Sequence, residues 1–379
     1  MKVSIIGGGP GGLYFALLAK KAWPRWDITV YERNRPDDTF GFGVVFSDQT
    51  LDAFKAYDLA TYERIRRRFA YWGDVDVVYK GKVMRSGGNG FCGCSRVALL
   101  NILQDRGREL GVQMRFQREV EGLEEFADSD LVVIADGLNS KIRSRYEDHF
   151  QPTVDLRPNK FTWLGSTKPL DAFKYFFRET PEGTIVAHCY QYEPDRSTWV
   201  IETDEQTWRN FNFDQLSETE MLPVIERVFA EELEGHALIA NRSLWRNFPT
   251  ITNKTWVKGN AVLVGDAKAM AHFSIGSGTK LAIASSIASL VPEPMEKCAV
   301  ALASPTSTAL PLTHVLLVMV GKLRQRERLA ISLWPSSSSA NTSSITGSMS
   351  VSESWSKLKF FQVCSSVSIT QVERSGSYW

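Results

Sequence analysis

Short apolar runs that end on glycine or on an acid recur along this chain, and their lengths predict buried strands joined to helices. Val3-Ser4-Ile5-Ile6 is a largely β-branched run that gives way to Gly7-Gly8-Gly9-Pro10-Gly11-Gly12 and continues as a helical pattern from Leu13 to Lys21. A second strand is predicted over Asp27 to Glu32. Leu131-Val132-Val133-Ile134 runs into Asp136-Gly137, and Ala261-Val262-Leu263-Val264 runs into Gly265-Asp266, repeating the design. The middle of the chain reads differently. Gly183 to His188 and Ser197 to Thr203 alternate their faces, which predicts a hairpin, and Phe161, Trp163, Phe176 and Phe177 suggest that its sheet is rich in aromatic side chains.

The glycines carry the first chemistry. Gly7, Gly9 and Gly12 fit G-x-G-x-x-G between a strand and a helix, where missing Cβ atoms let the backbone approach a pyrophosphate at the helix N-terminus. Glu32 closes the second strand twenty residues after Gly12, the position that holds a ribose hydroxyl pair. An acid there favours an unphosphorylated adenine ribose, as in FAD or NAD, and these segments alone leave the two open. Near the third strand, Gly276-Ser277-Gly278 precedes an apolar helical start, so backbone amides there would face an anion or an electron-rich ring edge.

Taken together these segments resemble the FAD-dependent aromatic (class A) monooxygenases of the para-hydroxybenzoate hydroxylase type. The resemblance implies that the Gly7 to Gly12 turn and Glu32 hold the ADP part of FAD, with Arg33 and Val45 among the cofactor contacts. It gives Asp136-Gly137 a role toward both FAD and NAD(P)H, Gly265-Asp266 a contact with the ribityl chain, and Arg96 a place near the flavin phosphates. Gly276 and Gly278 would then border the isoalloxazine. Longer motifs narrow it: Asp38 to Asp48, Gly87 to Arg96, Ala187 to Glu193 and Gly265 to Ala282 resemble the monooxygenase part of salicylyl-CoA 5-hydroxylases and 2-aminobenzoyl-CoA monooxygenase/reductases. Violacein-pathway tryptophan hydroxylases are more distantly similar. The likeness runs from residue 1 to about residue 282.

The fold so implied is α/β, a Rossmann-like FAD-binding domain (residues 1–75, 95–150 and 253–290) interleaved with a mainly antiparallel β-sheet substrate domain (76–94 and 151–252). The implied activity is hydroxylation of an activated aromatic ring with NAD(P)H and O2, foremost 5-hydroxylation of salicylyl-CoA or 2-aminobenzoyl-CoA. The alternatives are a free small aromatic such as a tryptophan derivative, or a crippled FAD-binding fragment. A NAD-dependent dehydrogenase is disfavoured by the order of the three motifs. His272, just before the glycine turn, is the foremost catalytic candidate, and His188 and Tyr190 could line the opposite wall. Arg64, Arg66, Arg67 and Arg68, near Tyr62 and Tyr71, could meet the phosphates of a CoA thioester or form a solvated helix face.

Composition excludes some classes. A net charge of +1 over 379 residues offers no steering toward nucleic acid or an anionic membrane. Five scattered cysteines suit a reducing cytoplasm, and Cys92-Gly93-Cys94 has the wrong spacing for a zinc knuckle, so no metal is expected. Met1 to Ile6 runs straight into glycines with no charged n-region or long apolar h-region, so no export signal is expected. The apolar stretch from Ala299 to Val320 is broken by Pro305, Pro311 and His314, which argues against a membrane span. Residues 291–379 form an atypical tail: ten serines fall between Ser336 and Ser354, and no aspartate occurs after Asp266. Such a composition suggests disorder, or a shifted reading frame or truncation near residues 283–295, with a divergent C-terminus as the alternative.

Overall fold

The computed structural model describes residues 1–39 and 41–270. In chain order these form β1 (Lys2–Ile6), α1 (Pro10–Ala22), β2 (Asp27–Tyr31), β3 (Gly43–Ser47), α2 (Asp48–Tyr57), α3 (Leu59–Arg66), β4 (Ala70–Trp72), β5 (Val75–Tyr79), β6 (Lys82–Ser86), β7 (Phe91–Ser95) and α4 (Arg96–Leu110). Next come β8 (Gln113–Arg115), β9 (Leu131–Ile134), α5 (Lys141–Arg145), α6 (Glu147–Phe150), β10 (Pro152–Ser166), β11 (Phe173–Thr180), β12 (Gly183–Glu193) and β13 (Arg196–Thr203). The remainder are α7 (Glu205–Asn210), α8 (Met221–Val228), α9 (Ala230–Leu233), β14 (Leu238–Ile239), β15 (Arg246–Asn253), β16 (Val257–Lys258) and β17 (Ala261–Leu263). His272, Gly276, Gly278 and the whole of the tail lie outside the described residues.

The short apolar runs assemble into one six-stranded sheet in the order β16-β17-β9-β1-β2-β8, parallel except at β16. Its central strands β1, β9 and β17 are buried on both faces, which is why they read as continuous apolar stretches. Val3, Ile5, Leu131 and Val133 pack on one side with Leu13, Leu17, Leu99 and Leu103 of α1 and α4. On the other, Ile6, Val132, Ile134 and Leu263 pack with Ile142 and Phe150.

A second sheet runs β14-β10-β13-β12-β11-β5-β6, with β15 also paired to β10, and is antiparallel except between β5 and β11. The hairpin expected in mid-sequence is β12–β13, closed by a turn in which Asp195 takes a positive φ of 53°. Period-two alternation divides its faces. Ile185, Ala187, Cys189, Trp199 and Ile201 bury against Phe213, Ile225, Phe229 and Leu233 of the helical layer. Phe176 belongs to that face, stacked on Trp199 at 5.6 Å, and so does not join Phe161, Trp163 and Phe177 in a common aromatic surface. The opposite face carries Phe161, Trp163, Val200, Val186, His188, Tyr190, Tyr175 and Phe177.

The three-stranded sheet β3-β7-β4 joins the two. In it Cys92 and Cys94 bury into the first core, whereas a Cβ on Gly93 would stand 2.0 Å from the carbonyl oxygen of Gln191 on β12. The Cys-Gly-Cys pattern is thus a packing device that lets β7 cross closely against the large sheet.

Candidate functional site

Parallel strands deliver their C-terminal ends to one edge of the six-stranded sheet, and that edge gathers the predicted nucleotide residues. Gly7 follows β1 with φ +108°, and any Cβ there would meet the Ala135 carbonyl oxygen at 2.3 Å, so only glycine lets the turn close on the end of β9. A Cβ on Gly12 would stand 2.1 Å from the Gly7 carbonyl oxygen, whereas one on Gly9 would meet nothing within 4 Å. The turn is therefore packed from below and open at Gly9, which caps α1 without any side-chain cap. Glu32 braces it. The Gly8 N–H donates to Oε2 at 2.7 Å and the Asn34 N–H to Oε1 at 2.8 Å. Arg33 lies outward beside Glu119, 3.8 Å away.

The other two acids flank this turn. Burial pushes the Asp136 carboxyl above the usual carboxylate range; the Ile142 N–H donates to its Oδ2 at 3.4 Å, while its buried Oδ1 has no hydrogen-bond partner. Gly137 follows with φ +84° and Gly265 has φ +63°. Burial also pushes the Asp266 carboxyl up to about 6, opposed by the nearby Arg96 guanidinium. Burial in turn lowers the Arg96 guanidinium's pKa, offset by Tyr190 and Asp266. The Arg96 backbone N–H donates to the Phe42 carbonyl at 3.0 Å, fixing the start of α4 beside β3, the strand that carries half-buried Val45. Two carbonyl clamps hold the strand ends together. Arg143 donates to the carbonyls of Leu138 and Ala267, the latter at 3.1 Å, and Asn253 Nδ2 donates to those of Lys268 and Ala267, the latter at 3.3 Å.

These features fit FAD. An open glycine turn, an acid fixed by two amides and a buried, unpartnered Asp136 Oδ1 offer the steric room and acceptors that an ADP and a polyol chain would need.

The aromatic face of the large sheet abuts this edge through β3. The Tyr190 hydroxyl donates to the Gly43 carbonyl at 3.0 Å, and the Gly43 N–H donates to Thr198 Oγ1 at 3.1 Å. Burial pushes the Tyr190 phenol up to about 12, so it stays protonated as that donor. His188 and Tyr190 share one face, as alternate residues of β12 must. His188 Nε2 lies 3.0 Å from Glu202 Oε2, and Asn159 Nδ2 donates to Glu202 Oε1 at 2.7 Å. The sequence reading passes over Glu202 and Arg143. An acid inside the apolar run Val200-Ile201-Glu202 is a signal that could have drawn notice to the first. Phe161, Val200 and Phe248 cluster beside the pair, with Trp163 and Met270 against them. Of the arginine cluster, Arg64 forks onto Glu109 at 2.7 and 2.8 Å, while Arg66, Arg67 and Arg68 are exposed.

No protein-family model matches the chain. It is 43% identical over 296 residues to salicyloyl-CoA 5-hydroxylase of a Streptomyces species, a match covering 76% of this chain and 57% of that protein. Over 289 residues it is 34% identical to the protodeoxyviolaceinate monooxygenase of Chromobacterium violaceum, covering 75% of this chain and 77% of the relative. The chain belongs to the class A aromatic monooxygenases. Its fold agrees: 2-methyl-3-hydroxypyridine-5-carboxylic acid oxygenase superposes with a TM-score of 0.67 at 16% identity, covering 86% of this chain and 87% of that one. The chain thus spans a little over half the length of its salicyloyl-CoA relative. Among the described residues, no helix is long and apolar enough to cross a membrane.

Proposed function

We propose that this chain binds FAD and hydroxylates an activated aromatic ring with NAD(P)H and O2, its substrate being salicyloyl-CoA or 2-aminobenzoyl-CoA and its product the 5-hydroxy thioester. The observation that carries the reading is the junction at Gly43, where the nucleotide edge bearing Asp266 and Arg96 meets the aromatic face bearing Tyr190 and His188. The 43% identity to a salicyloyl-CoA 5-hydroxylase supports the substrate class. FAD, when bound, accepts a hydride and activates dioxygen for transfer to the ring.

The chain supplies binding, orientation and dryness. The glycine turn and Glu32 hold the ADP half, Asp136 and Asp266 accept from the polyol chain, and Arg96 faces the phosphates. The apolar face of β10–β13 covers the reacting ring and excludes water. We assign the cofactor to residues 1–75, 95–150 and 253–290, and the substrate to 76–94 and 151–252. An ortho hydroxyl or amine donates electron density to the carbon para to itself, which makes position 5 the site of oxygen entry.

The test is NAD(P)H oxidation by the FAD-loaded full chain, with each thioester and each free acid, followed by mass spectrometry of the product. Stimulation by a thioester with a hydroxylated thioester product is expected. Stimulation by free aromatics alone would favour the second reading, a hydroxylase of small free aromatics, to which the 34% identity with the violacein-pathway enzyme points. Bound flavin with no stimulation by any of them would leave only a crippled FAD-binding fragment.

A further inference from the structure

A basic groove of about 550 Å³ opens between the end of α3 and α4. Arg64, Arg67 and Arg68 line it on one side, and Asp105, Arg108 and Glu109 on the other. Its carboxylates are already engaged. Glu109 takes the Arg64 fork at 2.7 and 2.8 Å, and Asp105 pairs with Arg108 at 2.9 Å. Four guanidiniums against two carboxylates leave two positive charges in the groove, and these fall on Arg67 and Arg68. Both are exposed, and neither forms an ion pair among the described residues. A solvated helix face is usually laced with pairs one turn apart, yet Glu63, four residues before Arg67, does not pair with it.

The groove also lies close to the aromatic wall along the chain. Arg68 leads into β4, whose Trp72 is buried and stacked on Tyr190 at 6.3 Å with 25° between the rings. The four residues from Arg68 to Trp72 span at most about 14 Å even when fully extended. An extended pantetheine arm bridges such a gap, and beyond it a coenzyme A thioester carries a diphosphate and a 3′-phosphate, the groups onto which guanidiniums fork. On the thioester reading above, we infer that Arg67 and Arg68 bind the phosphates of the substrate's coenzyme A, while its acyl ring reaches the wall at Tyr190. The two arginines then touch no reacting atom. They distinguish a thioester from the free acid, which has no group to place in the groove.

Calorimetric titration of the FAD-loaded full chain with salicyloyl-CoA, without NAD(P)H so that nothing turns over, tests the assignment. Arg67→Ala and Arg68→Ala are each expected to raise Kd about tenfold. Because the groove is open to solvent, added salt should weaken wild-type binding more steeply than that of the double variant. The N-acetylcysteamine thioester of salicylate, which has no phosphate, should bind wild type and variants alike. Arg66→Ala, which does not line the groove, should change Kd less than about threefold. In turnover, KM for the thioester should rise in the variants with kcat held within about twofold and KM for NAD(P)H unchanged. Equal Kd values for salicyloyl-CoA in wild type and double variant, no affinity in the wild type, or a loss shared by the phosphate-free thioester overturns the inference. So does a rise confined to the NAD(P)H KM, which would give the groove to the dinucleotide's phosphates. A wild type that hydroxylates thioesters while the variants match it strikes the groove alone. One that binds salicyloyl-CoA through these arginines but hydroxylates neither thioester overturns the hydroxylase reading and leaves the groove assignment standing.

Discussion

Asp266 has a cost built into its place. Its folded pKa of about 6 lies above the ordinary aspartate value of 3.8, so between those values the folded chain holds a proton that the unfolded chain has released. Stability therefore falls as pH rises from about 4 to about 6, and the full penalty, on the order of 2–3 kcal/mol, is present at neutral pH. Asp266→Asn should raise the melting temperature of the flavin-free chain at neutral pH and flatten that part of its pH profile, while weakening FAD. An identical pH profile in the variant would show that Asp266 is not desolvated. Glu32→Ala removes the acceptor of two backbone N–H groups and is expected to weaken FAD about tenfold or more in a flavin titration. At this scale the sequence is most legible where chemistry is local. The glycines and acids at residues 7–12, 32, 136 and 265–266 declare themselves because each sits at the end of an apolar run. Glu202 does not, because its partner is fixed only when β12 and β13 come into register.

Among the elements, the close crossing of β7 on β12 constrains how the three-stranded sheet seats on the large antiparallel sheet. Gly93→Ala would drive a Cβ to within 2.0 Å of a backbone oxygen that cannot rotate away, so the strands must part. Loss of more than about 2 kcal/mol in denaturant unfolding is expected, against about 1 kcal/mol for Tyr190→Phe, which gives up only the hydrogen bond to Gly43. Equal and small effects would show that the sheets do not bear on each other there. The parallel strands and the β12–β13 hairpin are legible from periodicity, but which face each aromatic ring occupies is not. Phe176 and Phe177 are adjacent, and alternation sends one to the helical layer and the other to the opposite face.

For the whole molecule, the sequence interleaves what the fold separates: strands from residues 2–31, 113–134 and 257–263 make one sheet, and those from 75–86 and 152–253 another. That interleaving follows from long-range pairings such as Val3 with Leu131 and Phe173 with Val75, which no local pattern encodes. The family resemblance implies it instead. His272, the foremost catalytic candidate of the sequence, lies outside the described residues, so its role rests on function. A His272→Ala variant that keeps flavin but lowers hydroxylation is the expected result.

The most direct measurement uses isotopically heavy dioxygen. FAD-loaded full chain, NAD(P)H and salicyloyl-CoA are expected to give a 5-hydroxy thioester whose new hydroxyl carries the heavy oxygen, with the label falling in Glu32→Ala in step with its lost flavin occupancy. A labelled solvent oxygen in the product, or oxidation of NAD(P)H with no oxygen on the ring, would contradict an aromatic monooxygenase built on this edge.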